Sequence, residues 1–186
     1  ATATEPPPVE VPTVLAVKQD ADEVGAKNLR STSITVSLTA VAFDVGEISW
    51  EQRLPYGLSS VLVIGYGYGP FVEAFSEEQG DERSLVEVGA QARWRFVGDF
   101  EDGLGFALDG RYLILGPDNS GTEGAGFALG PRLFWKWAFH GGLTLDINLG
   151  LSWVWSHLDN VRGVEVARQD GLQSTGTVGL GWSFGL

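Results

Sequence analysis

The chain has 186 residues with 26 Gly, 7 Trp, no Cys and no Met, and a formal net charge of −12. Zero Cys excludes a disulfide framework and thiolate chemistry, and the acidic balance argues against nucleic acid as a partner, since a phosphate-binding surface needs clustered Lys and Arg. No window approaches the roughly 18 consecutive apolar residues of a membrane helix, so any membrane crossing would have to be made by strands.

With no Met in the chain, Ala1 is expected to be a mature N-terminus left by signal-peptide cleavage, and a Cys-free chain suits passage through an oxidising compartment. Residues 1–30 open with Pro6, Pro7, Pro8 and Pro12 among acidic and Thr residues, which sustain neither helix nor ladder. This segment is expected to be largely disordered, and 31–186 to form one domain. From Ser31 onward apolar and polar residues alternate with period two, the signature of a strand with two different faces. The first strand is expected over Thr32 to Phe43, with a turn at Asp44 to Gly46, and the second over Glu47 to Leu54. After Pro55-Tyr56-Gly57 the third runs from Leu58 to Gly69, followed by an acidic loop to Arg83. The fourth is Ser84 to Val97, the fifth Leu104 to Leu115, and the sixth Ala125 to Phe139. His140-Gly141-Gly142 turns into the seventh, Leu143 to Trp155, and a loop from Ser156 to Asp170 leads to the last strand, Leu172 to Leu186.

Eight strands joined only by hairpins give an all-β, antiparallel up-and-down barrel. Connections after the second, fourth and sixth strands are short; those after the third, fifth and seventh are expected to be long and polar. The first, although on the same rim as the long ones, is brief. A soluble barrel of lipocalin type would turn the apolar face inward. However, an eight-stranded interior is just wide enough to be filled by side chains, and 7 Trp with 10 Phe would overfill it. The apolar face is therefore read as the outside of a transmembrane barrel. Two belts of aromatic residues agree: Trp94, Phe96, Trp135, Trp137, Phe139, Trp182 and Phe184 close the strands at the short-turn rim, and Trp153 and Trp155 with Tyr66 and Tyr68 lie near the other.

The same phase turns Glu47, Glu51, Arg53, Glu87, Gln91, Arg93, Arg95, Asp109, Arg111, Arg132, Lys136, Asp146 and Asn148 inward. Acids and bases nearly balance there, and buried charge is tolerated only in pairs, so the interior should be a charge-paired plug. The acidic excess then lies in the tail and loops, notably Glu73, Glu77, Glu78, Asp81, Glu82 and Asp118.

From Thr32 to Leu186 the chain resembles the small eight-stranded outer-membrane barrels of Gram-negative bacteria, of the OmpA transmembrane-domain and OmpX type. The terminal alternation ending in Trp182 and Phe184 is similar to their last strand, although this chain finishes on Leu186. The stretch Gly46-Glu47-Ile48-Ser49-Trp50-Glu51-Gln52-Arg53-Leu54 also resembles a segment of uncharacterised small barrels of the DUF3575 type, with Gln52 and Arg53 departing from it. The resemblance implies outer-membrane residence with both termini periplasmic. Its implied partners are outer-membrane lipids including lipopolysaccharide, and the barrel-assembly machinery during insertion. It implies no particular activity, because such folds serve many functions.

Three functions are compatible with these residues. The first is a structural or anchoring protein with acidic outer loops and a tail, residues 1–30, that reaches an envelope partner. The second is a narrow pore for ions or small solutes. The third is a lipid A-modifying enzyme using Ser156 and His157 with Asp159 or Glu165, but adjacent strand residues point to opposite faces. The expectation is the first, with no catalytic residue, metal or cofactor.

Overall fold

The computed structural model describes residues 30–39, 45–69, 83–116, 123–159 and 165–185. Eight strands follow one another: β1 (Thr32–Ser37), β2 (Val45–Arg53), β3 (Leu58–Gly69), β4 (Arg83–Gly98), β5 (Asp102–Leu115), β6 (Glu123–Ala138), β7 (Leu143–Asp159) and β8 (Glu165–Phe184). Each pairs antiparallel with its neighbours in sequence, and β1 pairs with β8, so the sheet closes into a barrel and leaves no edge. We call the rim where β1 begins and β8 ends the lower rim. It also carries the turns at 54–57, 99–101 and 139–142; the other rim is the upper one.

The lower turns are built from local chemistry. Asp99 Oδ1 accepts hydrogen bonds from the backbone N–H groups of Glu101 (2.8 Å) and Asp102 (3.1 Å), an Asx turn that reverses the chain between β4 and β5. Gly98 enters that turn at φ 77°, where an added Cβ would meet Asp102 O at 1.9 Å, so no larger residue fits. A bulge between Arg95 and Val97 leaves Phe96 and Val97 both exposed on the outer face. Pro131, which has no N–H to donate, falls where the β6–β7 ladder lapses between Leu129↔Trp153 and Arg132↔Gly150.

All eight expected strands are present; at the lower rim β5 starts at Asp102 rather than Leu104, and the larger differences lie at the upper ends. The expected start of the first strand is correct, but its continuation through residues 40–43 and Asp44 of the expected turn lie outside the described residues. Gly46 belongs to β2, opposite Tyr66, rather than to a turn. The expected loop Ser156 to Asp170 is largely ladder: Ser156↔Gln169, His157↔Arg168 and Asp159↔Glu165 pair, and only 160–164 separate the strands. Main-chain bonding continues there above the level at which apolar alternation advertises it. The expected acidic loop and most of the loop after Leu115, with Glu73, Glu77, Glu78, Asp81, Glu82 and Asp118, lie outside the described residues. So do residues 1–29 of the N-terminal segment, as well as Leu186.

The barrel is inverted relative to a soluble core. Outward positions are apolar and exposed, as in Ile48, Leu62, Ile64, Leu108, Leu149 and Leu180. Inward positions alternate very large with very small side chains. Gly89 faces Arg111, Gly105 faces Phe134 and Gly150 faces Arg132 in register. A Cβ on these glycines would lie 2.6 Å from Arg111 Cδ, 2.6 Å from the Phe134 ring and 2.7 Å from Arg132 Cγ. Each long inward side chain thus lies across its neighbour's glycine, the arrangement that a narrow barrel demands.

Overpacking one of these positions should therefore be costly. Gly105→Val is expected to lower folding stability by at least about 2 kcal/mol in denaturant titration. Gly171→Val, where nothing lies within 4 Å of the added Cβ, should stay within about 0.5 kcal/mol of the parent.

Candidate functional site: the charged barrel interior

The alternation of β2, β4, β5, β6 and β7 brings ten charged side chains into one interior. Five are carboxylates, Glu47, Glu51, Glu87, Asp109 and Asp146, and five are cations, Arg93, Arg95, Arg111, Arg132 and Lys136. They sort into two clusters along the barrel axis.

The lower cluster is organised by Glu51 on β2. Its Oε1 accepts from Arg95 Nη2 at 2.5 Å and from Ser59 Oγ at 2.6 Å; its Oε2 accepts from Lys136 Nζ at 2.7 Å and lies 3.6 Å from Arg93 Nη1. Arg93 turns its other contacts toward β7, donating Nη1 to Asp146 Oδ2 at 2.6 Å and Nη2 to Asn148 Oδ1 at 3.1 Å. Its Nε donates to Gln91 Oε1 at 3.0 Å. Asn148 in turn donates to Asp146. Four of the eight strands, β2, β4, β6 and β7, are thereby tied together by side-chain ion pairs alone.

The upper cluster is organised by Arg111 on β5. Its Nη1 is shared by Glu47 (2.6 Å) and Glu87, and its Nε donates to Asp109 at 3.0 Å. Asp109, which is wholly buried, also pairs with Arg132 Nη2 at 2.6 Å. Arg132 Nε and Nη1 have no hydrogen-bond partner among the described residues.

Two aromatic rings complete the lower cluster. Arg93 and Arg95 place their guanidinium carbons 4.8 and 5.1 Å from the centroid of the Phe134 ring. Phe100 lies 3.7 Å from Lys136 Nζ and 5.1 Å from Arg95 Cζ. Cations that neutralise carboxylates on one side thus rest on aromatic faces on the other. Phe134 is in phase with Arg132 and Lys136, so its inward position follows from the alternation. Phe100 sits in a turn, where no period applies, and no sequence signal points to it.

These contacts fill the lumen at the level of Glu51 with side chains, among them the completely buried Lys136 and Phe134. Above that level a cavity of about 20 Å³ lies against Thr35, Ser49, Gln91, Arg93, Asp146 and Asn148, room for about one water molecule.

Of the expected interior residues, the structure gathers all but one into the network. Arg53 is the exception: it is half-buried at the lower end of β2 and makes no ion pair among the described residues, while Arg95 occupies the contacts to Glu51 and Ser59. The expected aromatic residues lie on the outer face. Trp94, Phe96, Trp135, Trp137, Phe139 and Trp182 are exposed toward the lower rim, and Phe184 is half-buried at the end of β8. Trp135, Trp137 and Phe139 stack in sequence, each centroid 5.6 Å from the next. Toward the upper rim Trp153, Trp155, Tyr66, Tyr112 and Phe127 are exposed, with Phe127 stacked on Trp155. Of the residues weighed for catalysis, Ser156 is buried in the interior and His157 is exposed on the outer face. Asp159 and Glu165 face each other in the β7–β8 ladder.

Comparison with protein-family models, with curated proteins and with solved structures returns no match, so function is read from this geometry.

Removing the charge at the centre of the lower cluster leaves buried cations without a counter-ion. Glu51→Gln should lower stability by about 3–5 kcal/mol in denaturant titration, the range for breaking a buried ion pair from one side. Asp102→Asn, at an exposed position, should change it by less than about 0.5 kcal/mol.

Proposed function

We propose that this protein is an integral outer-membrane β-barrel with a structural or anchoring role, electrically closed by its own interior charges. The observation that carries the reading is the inversion of the barrel. Charged residues fill the inside in pairs, while Leu, Ile, Val and Trp cover the outside, with aromatic belts at two levels. Among the described residues the outward positions between those belts hold no Asp, Glu, Lys or Arg. A surface of that kind is poorly suited to water and well suited to hydrocarbon bounded by two interfaces.

Both described ends of the chain lie at the lower rim, as expected for a barrel whose short turns and termini are periplasmic. Outer-membrane lipids, lipopolysaccharide among them, would then surround the belts, and the barrel-assembly machinery would insert the chain. Residues 1–30 would extend toward an envelope partner. The filled lumen speaks against a pore, and the separation of Ser156 from His157 speaks against lipid A-modifying chemistry at that pair.

Two measurements test this. Purified protein is expected to migrate faster on a gel unheated than boiled, and after reconstitution into a planar bilayer to show no steady single-channel openings; steady openings would make transport the function. Separately, Leu149→Arg, at a mid-strand position that is 61% exposed, should destabilise the bilayer-inserted barrel by about 2–4 kcal/mol. In a water-facing barrel the same substitution would stay within about 0.5 kcal/mol, and that result would sink the membrane reading.

A further inference from the structure

Arg30, two residues before β1, makes its contacts with turns that do not belong to its neighbouring strand β2. Ser31 is still in the ladder, donating its N–H to Phe184 O at 3.0 Å and accepting from Arg53 N at 2.7 Å. Arg30, one residue earlier, is instead bound to the β4–β5 turn, whose strands stand three and four places around the ring from β1. Its backbone N–H meets Glu101 Oε1 at 3.3 Å, its Nη1 lies 3.4 Å from Glu101 Oε2, and the same Nη1 donates to Phe139 O at 3.3 Å. Glu101 is fixed from behind. Its backbone oxygen accepts from Ala138 N at 2.7 Å, and its N–H is held by Asp99. Directly after Asp99 in the same turn, Phe100 points into the barrel, only 3% exposed, onto Lys136 and Arg95.

We propose that Arg30 and Glu101 form a latch that seals the lower mouth of the barrel, with Phe100 as the stopper beneath it. The strap and the stopper belong to one turn, so releasing Glu101 loosens both. The pair is partly exposed and its contacts are long, and ion pairs of this kind contribute little to stability, so the latch can open without unfolding the barrel.

The absence of Cys provides a clean test. Ser183 faces inward at the lower end of β8, is 1% exposed, and lies 2.7 Å from Thr144 Oγ1, so Ser183→Cys places a unique thiol behind the latch. Its rate of reaction with a small water-soluble methanethiosulfonate is measured in detergent micelles. That assay does not depend on what surrounds the outer face, so it fails or succeeds independently of the membrane reading. With the latch intact the thiol should react at least 100-fold more slowly than Tyr56→Cys, at a 94% exposed turn position. Adding Arg30→Ala or Glu101→Ala should raise the rate at least ten-fold. Asp102→Ala in the same turn should leave it unchanged, and the exchange Arg30→Glu with Glu101→Arg should restore slow reaction. Thr144→Cys serves as a second reporter should Ser183→Cys fail to fold, as judged by tryptophan emission. Equal rates with and without the latch, or fast reaction in the intact barrel, would overturn the proposal.

Discussion

A buried carboxylate that answers three cations at once, Glu51, is the constraint on which this barrel depends. Taking a carboxylate out of water is tolerable only when opposite charge and hydrogen bonds replace the solvent. Arg95, Lys136, Arg93 and Ser59 do that here, from three other strands. Because the partners come from β3, β4 and β6, satisfying Glu51 fixes the relative register of strands that are not all neighbours. A one-residue slip of any of them would turn its member outward and leave the rest unpaired.

The outer face follows from the inner one. With period two, a strand that commits its charged residues to the interior commits the alternate set to the exterior, and that set is the apolar one. Closure of β1 on β8 leaves no face of the sheet on which a second apolar layer could form within the barrel. The large apolar residues therefore stay exposed in the isolated chain, and their burial requires something outside it. Glycine is the third part of the same solution. Arg111, Arg132 and Phe134 fit across a narrow lumen only because Gly89, Gly150 and Gly105 give up their side chains opposite them.

What was legible in the sequence was whatever the two-residue period encodes. Eight strands, their order, the inward charged set and the outward aromatic belts all follow from phase, which survives any uncertainty in where a strand ends. What was not legible lay where the period stops or where partners are chosen in space. Phe100 belongs to a turn, and nothing local marks it as a stopper. The ladder from Ser156 to Asp159 and its return from Glu165 was hidden because the regular apolar alternation lapses in that sequence, and backbone pairing does not need it. Arg53 had the right phase for the interior, but Arg95 took the contacts to Glu51 and Ser59 and left it half-buried. Phase places a residue in the lumen, whereas geometry decides which of several like charges is paired.

The distribution of charge along the axis carries the argument one step further. The lower cluster holds Arg93, Arg95 and Lys136 against Glu51 and Asp146, an excess of one positive charge; the upper holds Arg111 and Arg132 against Glu47, Glu87 and Asp109, an excess of one negative. Each cluster alone is imperfectly neutralised, and only the two together balance. In a medium of low dielectric that residual attraction acts between them, so the halves of the interior hold each other as well as themselves. The lower half spreads its positive excess over the faces of Phe100 and Phe134, which takes up part of what the carboxylates leave unanswered. The aromatic stopper at the lower mouth and the carboxylate excess above it are therefore two sides of one electrostatic arrangement.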